Sequence, residues 1–177
     1  MILHRATIST PLGDMLALAS EGGLCALEFD RRSRHERLDA RLRRYFPGHE
    51  IVDDGEGLFL ARTREWLAAY FDGTTAEAPD IPLDMRGAPF ELRVWSRLRA
   101  IPAGSTSTYG TIAKQLGTPG ASRAVGAANG ANPVGIIVPC HRVIGSTGTL
   151  TGYGGGLERK QWLLNHEARW RAQPILF

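Results

Sequence analysis

The stretch YGTIAKQLGTPGASRAVGAANG, residues 109–130, is the part of the sequence that most narrows the fold. It predicts a helix from Tyr109 to Leu116, because the Ser and Thr residues just before it can cap its N-terminus. GTPG then forms a turn, and ASRAVGAANG forms a second short helix. Two short helices joined by a Gly/Pro turn are a helix-turn-helix pattern. Many helical domains contain this pattern, so it does not by itself indicate a function.

The second helix of this pair carries one long side chain, Arg123, among alanine, glycine and serine residues. Such small residues favour close packing against a neighbouring helix. They equally allow a helix to approach a nucleic-acid groove, with the arginine as its single probe. The composition around Arg123 favours the groove interpretation, because that half of the chain is basic.

Charge is distributed unevenly along the chain. Residues 1–86 contain 11 Arg and 15 Asp or Glu, a net charge of −4, whereas residues 87–177 contain 10 Lys or Arg and 3 Glu, a net charge of +7. No carboxylate side chain occurs from Leu92 to Leu157. A basic surface without a partner is one interpretation. Recognition of a polyanion, above all nucleic acid, is the functional interpretation, and the change of sign indicates two domains.

The first half of the chain is predicted to be a small α/β domain. Alternating apolar residues and turn signals predict three strands, and helical periodicity predicts two helices. The predicted strands are 3–9, 15–19 and 24–29, and the predicted helices are 33–46 and 57–71. The Pro-rich segment 74–86 lacks periodicity and is predicted to be a linker. The domains are therefore 1–86 and 87–177, the second beginning with a helix at 89–99.

Cys140 lies between a proline and a histidine in NPVGIIVPCHRVIGSTG, residues 132–148. A cysteine in an apolar run is usually a small buried hydrophobe, and Cys25 fits that interpretation. Cys140 differs, because Pro139 stiffens its approach while His141 and Arg142 stand next to it. A free thiol is only slightly ionised at neutral pH, so a nucleophile needs such neighbours. We expect these neighbours to make Cys140 a thiolate.

A strand is the expected local structure at Cys140, and there His141 would point away from the sulfur. A bridging water would then connect the imidazole to the thiol. A carboxylate should orient the imidazole, and only Glu158 and Glu167 follow Glu91 in the sequence.

Several other sites and locations are not supported by the sequence. The five histidines form no zinc-type spacing with either cysteine, so no metal is expected. The Gly-rich stretch 145–156 can wrap a small flat ligand but lacks the phosphate-binding glycine patterns, so no nucleotide cofactor is expected. No apolar run reaches the roughly 18–20 residues of a membrane span. The start of the sequence does not resemble a secretion signal, and two distant cysteines favour a reducing, cytoplasmic location.

Val138–Arg142, VPCHR, resembles the IPCHR-type active-site signature of the O6-alkylguanine-DNA alkyltransferases. Three further segments resemble the same family in order and spacing, and the specific resemblance covers about residues 89–167. These segments are IPAGSTSTYGTIAKQLG at 101–117, SRAVGAANGANP at 122–133 and GTLTGYGGGLERKQWLLNHE at 148–167. The resemblance implies an α/β fold with a small ribonuclease H-like N-terminal domain followed by a helical, winged helix-turn-helix C-terminal domain.

The resemblance also implies a reaction. Cys140 would accept the alkyl group from O6 of guanine, and also from O4 of thymine, after the base is flipped out of the duplex. His141 would take the thiol proton through a water, Glu167 would orient His141, and Asn132 would brace the turn. The product would be a stable thioether, so each molecule would act once and need no cofactor.

The implied partner is double-stranded DNA, bound through its minor groove. Tyr109 would crowd a backbone phosphate and donate a hydrogen bond to the leaving guanine, while Arg123 would replace the flipped base in the stack. The other implied DNA contacts are Gly110, Thr118 and Ser122, and the base pocket is implied around Val143, Tyr153 and Gly154. The protein is expected to be a monomer, with cooperative binding to DNA left open.

Two departures from the family are visible in the sequence. Some relatives hold a structural zinc near the N-terminus, but only His4 and Cys25 lie there in this chain, so that site is not carried over. Gly154 stands where some relatives have a serine, which predicts tolerance of larger alkyl groups.

Three alternative functions stay open beside the alkyl transfer. The first is a non-catalytic protein that binds alkylated DNA, although the alkyltransferase-like proteins of that kind lack the acceptor cysteine. The second is a Cys/His hydrolase, which would need an oxyanion hole. The third is a DNA-binding regulator in which Cys140 is inert.

Overall fold

The computed structural model describes residues 1–171 and has the predicted mixed α/β class. Its first half holds a four-stranded sheet and two helices, and its second half is mainly helical. The elements of the first half are β1 Ile2–Ile8, β2 Met15–Ser20, β3 Gly23–Phe29, α1 Arg32–Tyr45, β4 Glu50–Val52 and α2 Leu58–Asp72. None of the helices in residues 1–171 combines the length and the apolar character needed to cross a membrane.

The sheet has the strand order β3-β2-β1-β4. Neighbouring strands among β1, β2 and β3 are antiparallel, whereas β4 runs parallel to β1, after the crossover through α1. This arrangement agrees with the predicted ribonuclease H-like class. Strand β4 was not predicted, because three residues are too few to show a periodicity. Cys25 is buried in the smaller of two hydrophobic clusters, beneath α1, as the sequence predicted.

The second half contains the predicted helix pair. Its longer elements are α3 Pro89–Arg99, α4 Tyr109–Gln115, α5 Ser122–Gly130 and α6 Leu157–Glu167. Two short strands, β5 Ser107–Thr108 and β6 Val143–Ile144, pair in parallel, and 3-10 turns cover Cys140–Arg142 and Ala168–Trp170. The Thr108 hydroxyl caps α4 by accepting the Thr111 backbone N–H at 3.1 Å, which confirms the predicted capping.

The two halves share backbone hydrogen bonds at the edge of β3. The Leu27 N–H donates to the Pro133 carbonyl at 2.8 Å, and the Gly135 N–H donates to the Leu27 carbonyl at 2.7 Å. The segment that leads to Cys140 is therefore attached to the sheet. The predicted linker is also packed, since the Leu24 N–H donates to the Pro82 carbonyl at 2.8 Å. The boundary at 86/87 stays a prediction.

Candidate active site

Cys140 begins a 3-10 turn, not the strand that the sequence suggested. The turn forms because the Arg142 N–H donates back to the Pro139 carbonyl at 3.0 Å, while the Cys140 N–H donates to the Val138 carbonyl at 2.8 Å. Just before it, Ile136 has φ 66°, a conformation that β-branched residues rarely adopt. In this tightly wound segment both Cys140 and His141 are buried, whereas a strand would place them on opposite faces.

Two asparagines hold this turn in place. The Asn132 side-chain amide donates to the Val138 carbonyl at 2.8 Å, and its oxygen accepts the Val134 N–H at 3.0 Å. The Asn129 amide, from α5, donates to the Cys140 carbonyl at 3.3 Å. Asn132 thus lies where a bracing residue would act. The sequence analysis did not single out Asn129, although it is the only large polar residue among the small residues that follow Arg123 in that helix.

His141 is fully buried and faces Glu167 across 2.8 Å, measured from Nε2 to Oε1. Because an ionised carboxylate only accepts hydrogen bonds, Nε2 carries the proton and Nδ1 is the free, basic nitrogen. Among residues 1–171, no hydrogen-bond partner reaches His141 Nδ1. Burial lowers the pKa of His141 and outweighs the opposing effect of Glu167, so the neutral base is the resting form.

Glu167 is the acceptor for a cluster of donors. The Arg142 guanidinium donates to both carboxylate oxygens, at 2.8 and 2.9 Å, and the Tyr70 hydroxyl donates to Oε1 at 2.7 Å. Burial alone would raise the pKa of Glu167, but the hydrogen bonds from His141 and Arg142 prevail and lower it. Arg142 therefore neutralises Glu167. The sequence had allowed Arg142 to face the Cys140 thiol, but its guanidinium faces Glu167 instead.

The Cys140 thiol is protonated at rest in this environment. Burial raises its pKa, and the Asn132 amide together with the charges of Arg34 and Lys160 offsets this only in part. The raised pKa favours the neutral thiol in the free protein, and the expectation that the neighbours make Cys140 a thiolate stays a prediction. Ionisation needs a proton acceptor at the moment of attack, and the neutral His141 is the nearest candidate in sequence.

A cavity of about 550 Å³ opens above Cys140, a volume suited to a small flat ligand. Tyr109, Tyr153 and Gly154 line it, together with Gly126 and Asn129 of α5. The Tyr109 hydroxyl donates to the Thr151 carbonyl at 3.3 Å, which ties α4 to the loop before Tyr153. Two of the predicted pocket residues, Tyr153 and Gly154, thus share one cavity with Cys140 and Tyr109.

Val143, the third predicted pocket residue, is buried beside the turn, and its carbonyl accepts a hydrogen bond from Lys160. Lys160 lies on α6, is itself buried, and also donates to the Thr151 carbonyl at 2.8 Å. One ammonium group therefore clamps the strand after Cys140 to the loop that lines the cavity. Lys160 was not predicted, although Lys160, Leu163 and Glu167 share one helix face by their spacing.

The outer face of α5 combines one arginine with small residues. Arg123, Ala124 and Ala127 are exposed, whereas Val125 and Ala128 are buried against the core. Close packing of the small residues is therefore confirmed on the buried side of the helix, and the approach of the exposed side to a nucleic-acid groove stays a prediction. The remaining predicted DNA contacts surround the start of α5. Gly110 lies against Ser122, and Thr118 lies in the preceding turn, where its N–H donates to the Ala113 carbonyl.

The first half of the chain also reaches the cavity, through Arg34 of α1. Its guanidinium donates to the Gly130 and Asn132 carbonyls at 3.0 and 3.1 Å and to Glu28 at 2.6 Å. A Cβ on Gly154 would lie 2.8 Å from Arg34 Nη1. The absence of a side chain at Gly154 therefore makes room for Arg34. The prediction that Gly154 admits larger alkyl groups stays untested.

Comparison with known proteins agrees with this site. Residues 89–169 match the family model described as 6-O-methylguanine DNA methyltransferase, DNA binding domain. The chain is 48% identical over 167 residues to the methylated-DNA–protein-cysteine methyltransferase of Salmonella typhimurium, covering 93% of this chain and 95% of that one. It is 58% identical over 166 residues to the protein of the same name from Mycobacterium leprae, covering 94% and 93%.

A solved structure agrees with the sequence relatives. The crystal structure of Mycobacterium tuberculosis OGT in complex with DNA is 42% identical to this chain, with a TM-score of 0.76 over 96% of this chain and 94% of that one. The chain therefore belongs to the methylated-DNA–protein-cysteine methyltransferases, a family of DNA-repair alkyltransferases.

Proposed function

We propose that this protein moves an alkyl group from O6 of a flipped guanine in duplex DNA to Cys140, once per molecule. The observation that carries the proposal is the position of the Cys140 thiol, which is buried beside a cavity of base-sized volume and next to the His141–Glu167 pair. Residues 1–86 would support the site, and residues 87–177 would supply the DNA contacts and the chemistry.

The chemistry balances with the groups present. The Cys140 thiol proton passes through a water to His141 Nδ1, and the sulfur attacks the alkyl carbon in line with the C–O6 bond. That bond breaks and its electron pair goes to the guanine, which takes up a proton from water, while the His141 imidazolium releases the thiol proton to water. Tyr109, which lines the same cavity, would donate a hydrogen bond to the leaving base. An alkyl group on O4 of thymine offers the same kind of bond, so we propose it as a second substrate.

Flipping would be required because Cys140 is buried and lines a cavity that a base stacked inside a duplex does not enter. The exposed face of α5 supports entry into the minor groove, since Ala124 and Ala127 add no bulk beside Arg123. Arg123 would fill the place of the flipped base. A thioether does not hydrolyse in water, so the proposal predicts one transfer for each protein molecule.

The test is to mix the protein with duplex DNA that contains one O6-methylguanine and to measure the intact protein mass. We expect a gain of one CH2, confined to the peptide that contains Cys140, and an end point of one methyl group per protein. Cys140→Ser should show no gain, and Cys25→Ser should behave as the unchanged protein. Tight binding to the lesion without a mass gain would overturn the proposal and leave a non-catalytic lesion-binding protein.

A further inference from the structure

We propose that Tyr70, in the N-terminal half of the chain, is a positioning residue for the transfer, because its hydroxyl sets how strongly Glu167 attracts the N–H of His141. The inference rests on the proposed function, since it assigns a role within the same site. Tyr70 lies on α2, 97 positions before Glu167. It touches neither the cavity nor Cys140, so its influence passes through Glu167.

Glu167 Oε1 is shared among three donors, Tyr70, His141 and, at 2.9 Å, Arg142 Nη2. Glu167 Oε1 accepts the Tyr70 hydroxyl at 2.7 Å and His141 Nε2 at 2.8 Å. A hydrogen bond from Tyr70 removes part of the negative charge that Oε1 can offer to His141. Tyr70 therefore weakens the pull on the imidazole proton and helps to keep His141 neutral.

The hydroxyl can be separated from the ring. The Tyr70 ring is fully buried and stacks on Trp66, with centroids 5.2 Å apart, and on Trp170 at 6.2 Å. The Tyr70 backbone carbonyl accepts a hydrogen bond from His166 Nε2 at 2.6 Å. The Trp170 and His166 contacts attach α2 to α6 and to the turn after it without the hydroxyl. Within residues 1–171 the hydroxyl makes one hydrogen bond, to Glu167, which is therefore available for tuning that carboxylate.

The charged and titratable surroundings fix the expected direction. Arg142 donates to Glu167, Lys160 faces His141 as a second positive charge, and both oppose a proton on the imidazole. Tyr153, Cys140 and His166 are the other titratable groups around the cluster. Burial and the Glu167 charge raise the pKa of the Tyr70 phenol, so it stays a donor throughout the working range of pH.

The experiment is the pH dependence of single-turnover methyl transfer by Tyr70→Phe. Without the hydroxyl, Oε1 holds His141 as an imidazolium more strongly, and the rising limb of the rate profile should move to higher pH. We expect a shift of about 0.5–1 unit, about half of the roughly 1–2 units that a hydrogen bond to a charged group is worth, because the effect reaches His141 only through Glu167. Replacement of Tyr70 by 3-fluorotyrosine, a stronger donor of the same shape, should shift the limb to lower pH.

Tyr45→Phe is the matched control. Tyr45 is the last residue of α1 and lies far from Glu167, so this substitution should leave the rising limb in place. A purely structural Tyr70 would lower the stability or the plateau rate while the limb stayed fixed. The inference would be overturned if the rising limbs of the rate profiles of Tyr70→Phe and of the 3-fluorotyrosine protein both coincided with that of the unchanged protein. The fluorotyrosine protein alone decides it if Tyr70→Phe does not fold. Absence of transfer by the unchanged protein would instead overturn the proposed function.

Discussion

Two buried glutamate–arginine pairs flank the turn that holds Cys140, and they differ in how many donors reach the carboxylate. Glu167 accepts four hydrogen bonds, from His141, Tyr70 and twice from Arg142. Glu28 accepts one, from Arg34 at 2.6 Å, and within residues 1–171 its second oxygen is buried without a partner.

This difference decides the charge of each carboxylate. Burial acts to raise the pKa of both, but only in Glu167 do the hydrogen bonds prevail and lower it. In Glu28, burial outweighs Arg34 and the pKa is raised. Although both carboxylates are buried and each pairs with an arginine, the pKa is lowered in Glu167 and raised in Glu28, so Glu167 holds its negative charge more firmly than Glu28 does. Glu167 is the one that orients His141.

Glu167→Gln should have the largest effect, because it leaves the Arg142 guanidinium buried without a counter-charge. We expect a loss of about 3–5 kcal/mol in the free energy of unfolding. The rate of methyl transfer should fall by about 10²–10⁴-fold, since His141 loses its orienting carboxylate. Urea unfolding and single-turnover kinetics measure the two effects.

Glu158→Gln is the matched control for this change, because Glu158 lies exposed in the first turn of the same helix. It should leave both the free energy of unfolding and the transfer rate within experimental error. Equal effects of the two substitutions would contradict the special role of Glu167.

The contrast between the two pairs marks how much the sequence can predict. The helix pair, the capping by Thr108 and the position of Cys140 follow from local patterns or from a short signature. The role of Glu167 was predicted from the family resemblance, supported by the scarcity of carboxylates in residues 87–177. In contrast, the contacts of Tyr70 with Glu167 and of Arg34 with Asn132 join residues nearly 100 positions apart. No local periodicity reports such contacts.

The local structure at Cys140 escaped prediction for a related reason. Short runs of β-branched apolar residues favour a strand, and VGIIV at 134–138, just before Pro139 and Cys140, is such a run. The bond from Asn132 to Val138, six residues further on, and the long-range bonds to the edge of β3 at Leu27 wind the segment into a turn instead. Tertiary hydrogen bonds therefore override the local preference at the point where the site requires an inward-facing cysteine and histidine.

Gly154→Ala tests the contribution of Arg34 to the Glu28–Arg34 pair. The added Cβ would lie 2.8 Å from Arg34 Nη1, and three hydrogen bonds hold that guanidinium in place. We expect a loss of about 1–3 kcal/mol in the free energy of unfolding. In an Arg34→Met background the same change should cost less, because the obstacle is gone. Fully additive losses in the double variant would show that Arg34 is not what the glycine accommodates.

Glu28→Gln should have the smallest effect, within about 1 kcal/mol at neutral pH, because the ionised carboxylate gains little over its desolvation cost. The substitution is recognised by how its effect on the free energy of unfolding depends on pH. A carboxyl whose folded pKa is raised contributes its full stability below the ordinary value of about 4.3 and loses it as the pH rises through the folded pKa. The stability advantage of the unchanged protein over Glu28→Gln should therefore shrink as the pH rises from 4 towards neutrality.

For the Glu167–Arg142 pair, we expect the free energy of unfolding to change with pH in the opposite direction. Because the folded pKa of Glu167 is lowered, its contribution is complete above about pH 4.3 and is lost only as the pH falls below that value. Urea unfolding of the unchanged protein and both variants from about pH 2.5 to 7 covers both trends, the Glu167 trend below about pH 4.3 and the Glu28 trend above it. If the Glu28→Gln difference stayed constant or grew with pH, Glu28 would be a fixed anion like Glu167. The number of donors would then not be what separates the two pairs.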